Sequence, residues 1–299
     1  MSQCVHGCDA GNASQHAAVS PFVTGLALVA ALAGSAAVCA EEKAGTEVPL
    51  WEVGFGAGVL AFPDYRGSDE MQVFPAPLPY VIYRGKFLKS DRDGVRGELF
   101  DRKYAELSLS ANGSIPVDSD DNDARSGMPD LKPTLELGPS LDLHVWRSAD
   151  ANIAVDVILP LRLPVTIASS PEAIGWIFAP RVNVDVQNVA GFIGWNLGVG
   201  AGPLFADRRY HDYYYSVAPR FATADRPEYA ASGGYSGSHL LVSLSKRFPS
   251  YWVGAYVRAD SVHHSQFERS PLVERSFAFT GGIGIAWLIA ESERMVLAH

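Results

Sequence analysis

The sequence predicts an all-β fold: an antiparallel transmembrane β-barrel of twelve strands. Three observations predict it. Long runs alternate apolar and polar residues with a period of two, connections alternate short and long, and an apolar leader of secretory length precedes the first run. The bulk composition agrees. The chain has 299 residues, 47% of them hydrophobic and only 19% charged, with 28 Gly and 12 Tyr. Disorder needs few apolar residues and high net charge. The formal charge of −9 argues against a nucleic-acid partner, which needs clustered Lys and Arg to displace counterions from phosphates.

The leader comes first. Residues 1–40 contain no Lys or Arg, and the first basic side chain is Lys43. Residues 22–34, FVTGLALVAALAG, are apolar, and Val38 and Ala40 stand at the −3 and −1 positions of a small-residue cleavage site. The expectation is a signal peptide over 1–40, a short periplasmic segment over 41–50, a barrel over 51–289 and a tail over 290–299. An apolar run of about 13 residues is too short to cross about 30 Å of hydrocarbon as a helix. Cys39 as a lipid-attachment site fits less well, because Val38 precedes it. All three cysteines (Cys4, Cys8, Cys39) lie in the leader, so a chain cut after Ala40 has no disulfide, thiol catalyst or Cys–His metal site. Losing Asp9 with the leader leaves 24 basic against 32 acidic side chains.

The strands follow. In 51–62, Trp51, Val53, Phe55, Ala57 and Val59 share one face, opposite Glu52 and glycines. A proline-rich strand follows, and Pro75, Pro77 and Pro79 are expected at a rim or bulge because proline cannot donate to a ladder. Residues 86–99 read as a short hairpin split at Asp93-Gly94. In 103–112, Ala105, Leu107 and Leu109 oppose Glu106, Ser108 and Ser110. In 134–163, Leu135, Leu137, Leu141, Leu143 and Val145 alternate with polar residues. After a polar turn at 147–150 the alternation resumes from Ile153 to Leu163. Residues 174–186 set Trp176, Phe178, Val182, Val184 and Val186 against Arg181, Asn183 and Asp185, and 190–204 set Ile193, Trp195, Leu197 and Val199 against Gly and Asn. Strands at 238–248, 251–261 and 275–289 complete the set. Splitting 86–99 gives twelve strands; ten is the alternative if that region is loop.

The connections fix the architecture. Those at 147–150, 187–189 and 248–250 are short; those at 113–131, 164–173, 205–237 and 262–274 are long. Outer-membrane barrels pair tight periplasmic turns with long external loops in this way. A soluble sandwich also alternates, but it hides its bulky apolar face. Here Gly, Ser, Asp, Arg and Asn lie opposite the apolar face and suit a wet or plugged lumen, so the apolar face is expected to meet lipid. Trp51, Tyr80, Tyr83, Trp146, Trp176, Tyr251, Trp252 and Trp287 sit near strand ends, as interfacial girdles require. Glu136, Asp156, Arg162, Arg181 and Asp185 are the expected lumen-lining residues.

Residues 54–83, GFGAGVLAFPDYRGSDEMQVFPAPLPYVIY, carry a resemblance. Pro63, Asp64, Tyr65, Gly67 and Ser68 in the first loop, with Pro77, Leu78, Pro79 and Tyr80 in the next strand, resemble the MipA/OmpV family of outer-membrane proteins. YYSVAP at 214–219, ASGGYSGSHLLVSLSKRF at 231–248, YWVGAYVRAD at 251–260, SPLVER at 270–275 and TGGIGIAW at 280–287 extend the match along the chain. The resemblance implies a monomeric barrel in the bacterial outer membrane, among outer-membrane lipids. It also implies a scaffolding role between a lytic murein transglycosylase and a murein polymerase in peptidoglycan assembly; other members are described as adhesion-related or as stress-responsive, porin-like proteins. It implies no catalytic residues and no cofactor. Such barrels usually end on an aromatic residue; here AESERMVLAH follows the last strand, leaving Trp287 or Ile289 at the strand end.

Other chemistry is weaker. His263 and Ser265 share a strand face, with Asp260 nearby, and would be the nucleophile pair of a lipid hydrolase, but no oxyanion-hole element is visible. His211, His263 and His264 read as solvated loop histidines rather than metal ligands. Asp118, Asp120, Asp121 and Asp123 lack the Gly and terminal Glu of an EF-hand loop. The alternative to a scaffold is a narrow porin-like channel or uptake barrel. Twelve strands leave little room, since 16–18 are needed for an open porin channel.

Overall fold

The computed structural model describes residues 47–84, 88–91, 94–97, 100–102 and 104–297. The expected signal peptide and its cleavage site lie outside the described residues. Sixteen strands appear in these: β1 (Glu47–Pro49), β2 (Trp51–Pro63), β3 (Met71–Arg84), β4 (Leu88–Asp91), β5 (Gly94–Gly97), β6 (Phe100–Arg102), β7 (Ala105–Ser114), β8 (Thr134–Arg147), β9 (Ile153–Thr166), β10 (Ile177–Phe178), β11 (Arg181–Gln187), β12 (Trp195–Ala206), β13 (Gly234–Arg247), β14 (Tyr251–Ser261), β15 (Phe277–Glu291) and β16 (Met295–Leu297). Among the described residues one α-helix, α1 (Arg208–Tyr215), lies between β12 and β13. No helix among the described residues is long and apolar enough to cross a membrane.

Each long strand pairs antiparallel with its sequence neighbour, and β15 pairs with β2, from Gly281↔Ala61 to Glu291↔Glu52. This joins the first and last long strands, so the described sheet runs from β5 through β3, β2 and β15 round to β7 and β6, wrapping into a barrel wall. The β4–β5 hairpin pairs from Leu88↔Gly97 to Asp91↔Gly94, so Gly94, expected in the turn, opens the second strand. It pairs with β3 only at Tyr83↔Ser90 and Arg84↔Lys89, and β5 lies against β7. Ten long strands and the short β4, β5, β6 and β10 make up this fourteen-stranded sheet. β1 and β16 form a separate two-stranded sheet that ties the described ends together.

Burial answers the orientation question. Phe55 is 54% and Ile283 70% exposed, whereas Glu52 is 2% and Ser108 0% exposed. Leu109, Leu137, Leu141, Leu161, Leu163, Val182, Leu240, Val242, Val257 and Phe279 join the exposed set; Glu106, Glu136, Ser140, Asp142, Arg162, Ser243 and Asp260 join the buried one. This is the reverse of a soluble core. It is stable only where hydrocarbon covers the outer face and the interior polar groups satisfy one another.

Three local expectations change. Pro75, Pro77 and Pro79 sit at neither rim nor bulge: β2 and β3 keep one unbroken register from Trp51↔Tyr83 to Pro63↔Met71. Among the described residues, positions 71–82 of β3 pair with β2 alone, so the prolines need offer no N–H to a second neighbour. Tyr80 and Trp252 are not girdle residues; both are buried and pack together with Ile82 and Ala286. They fall on the inward phase of their strands, where Gly58, Gly254 and Gly284 leave space for large rings. The connection before β12 extends over 188–194, because Asn188, Ala190, Gly191 and Gly194 adopt positive φ, so Ile193 lies in the turn and not in the strand.

Candidate functional site

The long loops do not splay into solvent. They fold over one barrel end around a common apolar core of Tyr65, Val117, Leu131, Ile174, Tyr214, Tyr215, Val217, Ala231, Val262, Phe267 and Leu272. Each loop contributes to it. Phe267 stacks on Tyr215 with ring centroids 3.6 Å apart and planes 5° apart. Helix α1 supplies the centre. Asp207 caps it by accepting from the Tyr210 N–H, and His211, Tyr214 and Tyr215 fall three and four apart on its buried face.

The motif loop at 64–70 is the keystone of this cap. Asp64 accepts from Gln72 Nε2 (2.6 Å) and Asn122 Nδ2 (2.8 Å). Tyr65 donates its hydroxyl to the Leu272 carbonyl (2.8 Å), and Tyr215 donates to the Arg66 carbonyl (2.9 Å). Gly67, at φ +102°, presents its carbonyl to the Glu274 and Arg275 N–H groups. Ser68 accepts from Asn122 Nδ2 (3.1 Å) and from the Glu70 N–H (3.2 Å). The motif residues in β3 do different work: Leu78 and Tyr80 fill space above the inward glycines of β2 and β15. Arg125 is buried within the cap, donating to Ser119 Oγ and to the Pro129 and Tyr214 carbonyls, and its guanidinium lies 5.7 Å from the Tyr65 ring centroid. Burial pushes the Tyr65, Tyr214 and Tyr215 hydroxyls well above the ordinary tyrosine range, so all three are neutral donors. Burial lowers the His211 imidazole; its Nδ1 meets the Ser232 carbonyl at 2.6 Å and its Nε2 meets Ser236 Oγ at 3.0 Å.

Beneath the cap lies a cavity of about 320 Å³. Glu136, Arg162 and Arg181, three of the five residues singled out from sequence, border it. Arg162 Nε meets Glu136 Oε2 at 3.0 Å, and Asn112 donates to the same carboxylate at 3.3 Å. Asp156 stands nearer the short-turn end, with His144 Nδ1 at 2.9 Å and Arg147 at 3.6 Å. Asp185 faces β12 beside Gly198. The cavity also gathers Arg66, His239 and Arg258, which sequence reasoning missed, and Asp260, which it weighed only beside His263 and Ser265. Arg66 Nε meets Asp260 Oδ1 at 3.1 Å, and Arg258 Nε meets Asp260 Oδ2 at 2.7 Å. Arg66 lies in the motif loop, and its partner Asp260 is 194 residues away. Closer to the short-turn end, Arg247 reaches Glu52 across the lumen at 2.8 Å. Ser108 and Ser140 donate to the two oxygens of Asp142.

The remaining candidates do not converge. His263 Nδ1 meets Glu268 at 2.6 Å, and Ser265 Oγ is buried without a hydrogen-bond partner, so the two are not bonded as nucleophile and base. His211 sits inside the cap, away from the stacked rings of His263 and His264. Among the described residues no three His, Cys, Asp or Glu side chains gather as a metal site. Asp118 caps a 3-10 turn over Ser119–Asp121, and Asp123 takes its N–H to Glu70.

An antiparallel sheet wrapped into a barrel, with lipid-facing apolar side chains and a polar interior, is an outer-membrane β-barrel. The model of the family described as MltA-interacting protein MipA matches residues 55–289, and the chain belongs to that family. Outer membrane protein Omp26La of Vibrio anguillarum is 23% identical over 211 residues, 69% of this chain and 75% of that protein. Among solved structures, outer membrane phospholipase A from Escherichia coli overlaps 85% of this chain and 97% of its own at 14% identity and a TM-score of 0.31. OprG from Pseudomonas aeruginosa overlaps 82% and 95% at 6% identity and a TM-score of 0.21. The Ralstonia pickettii toluene transporter TbuX overlaps 84% and 72% at 10% identity and a TM-score of 0.24. Overlaps this loose carry nothing about activity. The chain is a MipA-family barrel of the bacterial outer membrane.

Proposed function

We propose that this barrel is a membrane anchor whose periplasmic end docks a lytic murein transglycosylase and holds it beside a murein polymerase. The cap carries this reading. A barrel whose outer end is roofed by a packed core, and whose interior is filled by ion pairs such as Arg162–Glu136 between neighbouring strands and Arg247–Glu52 from β13 to β2, is poorly built for solute flow. The family description, an MltA-interacting protein, supplies the kind of partner. The short-turn end, periplasmic by the loop asymmetry of outer-membrane barrels, offers apolar surface: Ile193 is 83% exposed, with Phe192 exposed beside it in the same turn and Tyr104 exposed before β7. Such side chains, small in number, suit a modest and reversible contact.

The purified barrel in planar bilayers is expected to show no conductance steps. Immobilised in detergent, it is expected to retain an MltA-type transglycosylase from solution, with retention falling about tenfold or more in Ile193→Glu, because charge in an apolar interface centre is costly. Reproducible conductance together with no retention would overturn the reading. The charged cavity favours one second reading, a barrel that holds a solute, and conductance steps that respond to that solute would point there.

A further inference from the structure

We propose that the cavity beneath the cap is a binding site for a neutral, hydroxyl-rich ligand of sugar size. The charges at its wall cancel. Arg66, Arg162 and Arg258 stand there with Asp64, Glu136 and Asp260, and Arg181 is engaged as well. Arg162 meets Glu136 at 3.0 Å, and Asp260 lies between Arg66 at 3.1 Å and Arg258 at 2.7 Å. Asp64 accepts from the amides of Gln72 and Asn122. An ionic ligand entering such a site would lose its hydration and gain no counter-charge. A neutral one meets no such cost.

Charge is balanced, but hydrogen-bonding capacity remains. Arg66 Nη2 and His239 Nδ1, on residues of the wall, are buried without a hydrogen-bond partner, and a fold that keeps such groups usually has a use for them. Neutral polar side chains arrive from several elements: Asn183 of β11, Tyr256 of β14 and Thr280 of β15, with Tyr210 from α1. Two of these stand where a neighbouring strand carries glycine. Asn183 Oδ1 lies 2.7 Å from where a Cβ at Gly200 would be, and the Tyr256 ring comes within 2.6 Å of the same position at Gly282. Any larger residue at either glycine would push these groups from their places at the wall.

This combination fits a sugar. A hydroxyl both donates and accepts, so one hydroxyl can donate to a paired carboxylate while its neighbour accepts from the guanidinium beside it. Tyrosine offers an apolar ring to the C–H face of a carbohydrate and a polar tip to its rim. The volume of about 320 Å³ is at the small end for ligand pockets and suits about one or two sugar rings. The inference names the solute of the second reading above and does not rest on the docking reading.

Calorimetric titration of the folded barrel in a sugar-free zwitterionic detergent tests the site, with glucose and N-acetylglucosamine as neutral probes and glucuronate and glucosamine as charged ones. Saturable binding of a neutral probe is expected, with both charged probes weaker by about tenfold or more. Tyr256→Phe keeps the ring, removes the hydroxyl and should weaken neutral binding about threefold or more. Glu136→Gln leaves Arg162 without its carboxylate and should turn the preference toward glucuronate. Either effect places the sugar in this cavity, and heat-modifiable gel mobility confirms that each variant is folded. Absence of neutral-probe binding in the folded wild-type barrel overturns the proposal. So do charged probes that bind as tightly as neutral ones, and binding and preference unchanged in both folded variants. Binding is read without conductance or a partner protein, so its failure leaves the docking reading standing.

Discussion

His211 shows how one residue ties the cap to pH. The ring is fully buried between Tyr215 and Phe267 and donates or accepts through both nitrogens to Ser232 and Ser236. Burial lowers its pKa below the ordinary 6.5, so the folded cap prefers the neutral ring. A base depressed in the folded state contributes stability that is present above the unfolded pKa and lost as pH falls toward the lowered folded value. The cap is therefore expected to loosen on acidification below about pH 6.5, the value of an unperturbed imidazole. Limited proteolysis of the loops at pH 7.5 and at pH 5, with the barrel monitored by gel mobility, measures this. His211→Gln, which keeps a polar group toward Ser236 but cannot titrate, should flatten the profile; an unchanged profile in that variant would assign the pH response elsewhere. Glu274 works in the opposite sense. Partial desolvation beside the loop, and then its hydrogen bond with the Asp69 carboxyl, raise its pKa to about 7, so its share of stability is present at low pH and lost as pH rises through neutrality. Its exposed position keeps that share small.

At the scale of elements, the seam between β2 and β15 decides whether the barrel closes. Gly54, Gly56 and Gly58 of β2 face the backbone of β15 so closely that a Cβ at Gly56 would overlap the Ile285 carbonyl and the Ala286 Cα. Gly56→Val is expected to force the strands apart. The cost is about 1–3 kcal/mol for an overpacked site, or more where backbone must move. Heat-modifiable mobility after refolding into vesicles should show mostly the unfolded band; full folding would mean the seam has slack. The same scale explains why the motif prolines were misplaced by sequence reasoning. An unbroken register with proline in every second position is admissible only where one edge of the strand lacks a partner, and that edge is created by the short β4–β5 hairpin. α1 was missed as well, although its signal was present: Asp207 as cap and buried residues at 211, 214 and 215. Its eight residues were hidden in 205–237, read only as a long connection.

For the whole molecule, the inside-out burial pattern makes a prediction that no soluble fold shares. Leu141 faces outward at mid-strand in β8, paired with Leu107 and Leu159. Leu141→Arg is expected to destabilise the barrel in a bilayer by about 2–4 kcal/mol, the depth-dependent cost of a cation on the lipid face. Equilibrium urea unfolding from vesicles measures it. A neutral result would mean that water or protein, not hydrocarbon, covers that face.

The sequence by itself determined the strands, their lipid-facing and inward sides, the alternation of short and long connections and the motif loop. A period of two is a property of the extended backbone, so it is written locally wherever a strand forms. Only the tertiary structure decided that the loops make a cap, that Tyr80 and Trp252 turn inward, and that Arg66 meets Asp260 at the cavity beneath it. Tyr65 and Leu272 bond across 207 positions of sequence, and Arg66 and Asp260 across 194. Such pairs have no local signature, because the residues become neighbours only when closure of the sheet brings the strand ends onto one rim.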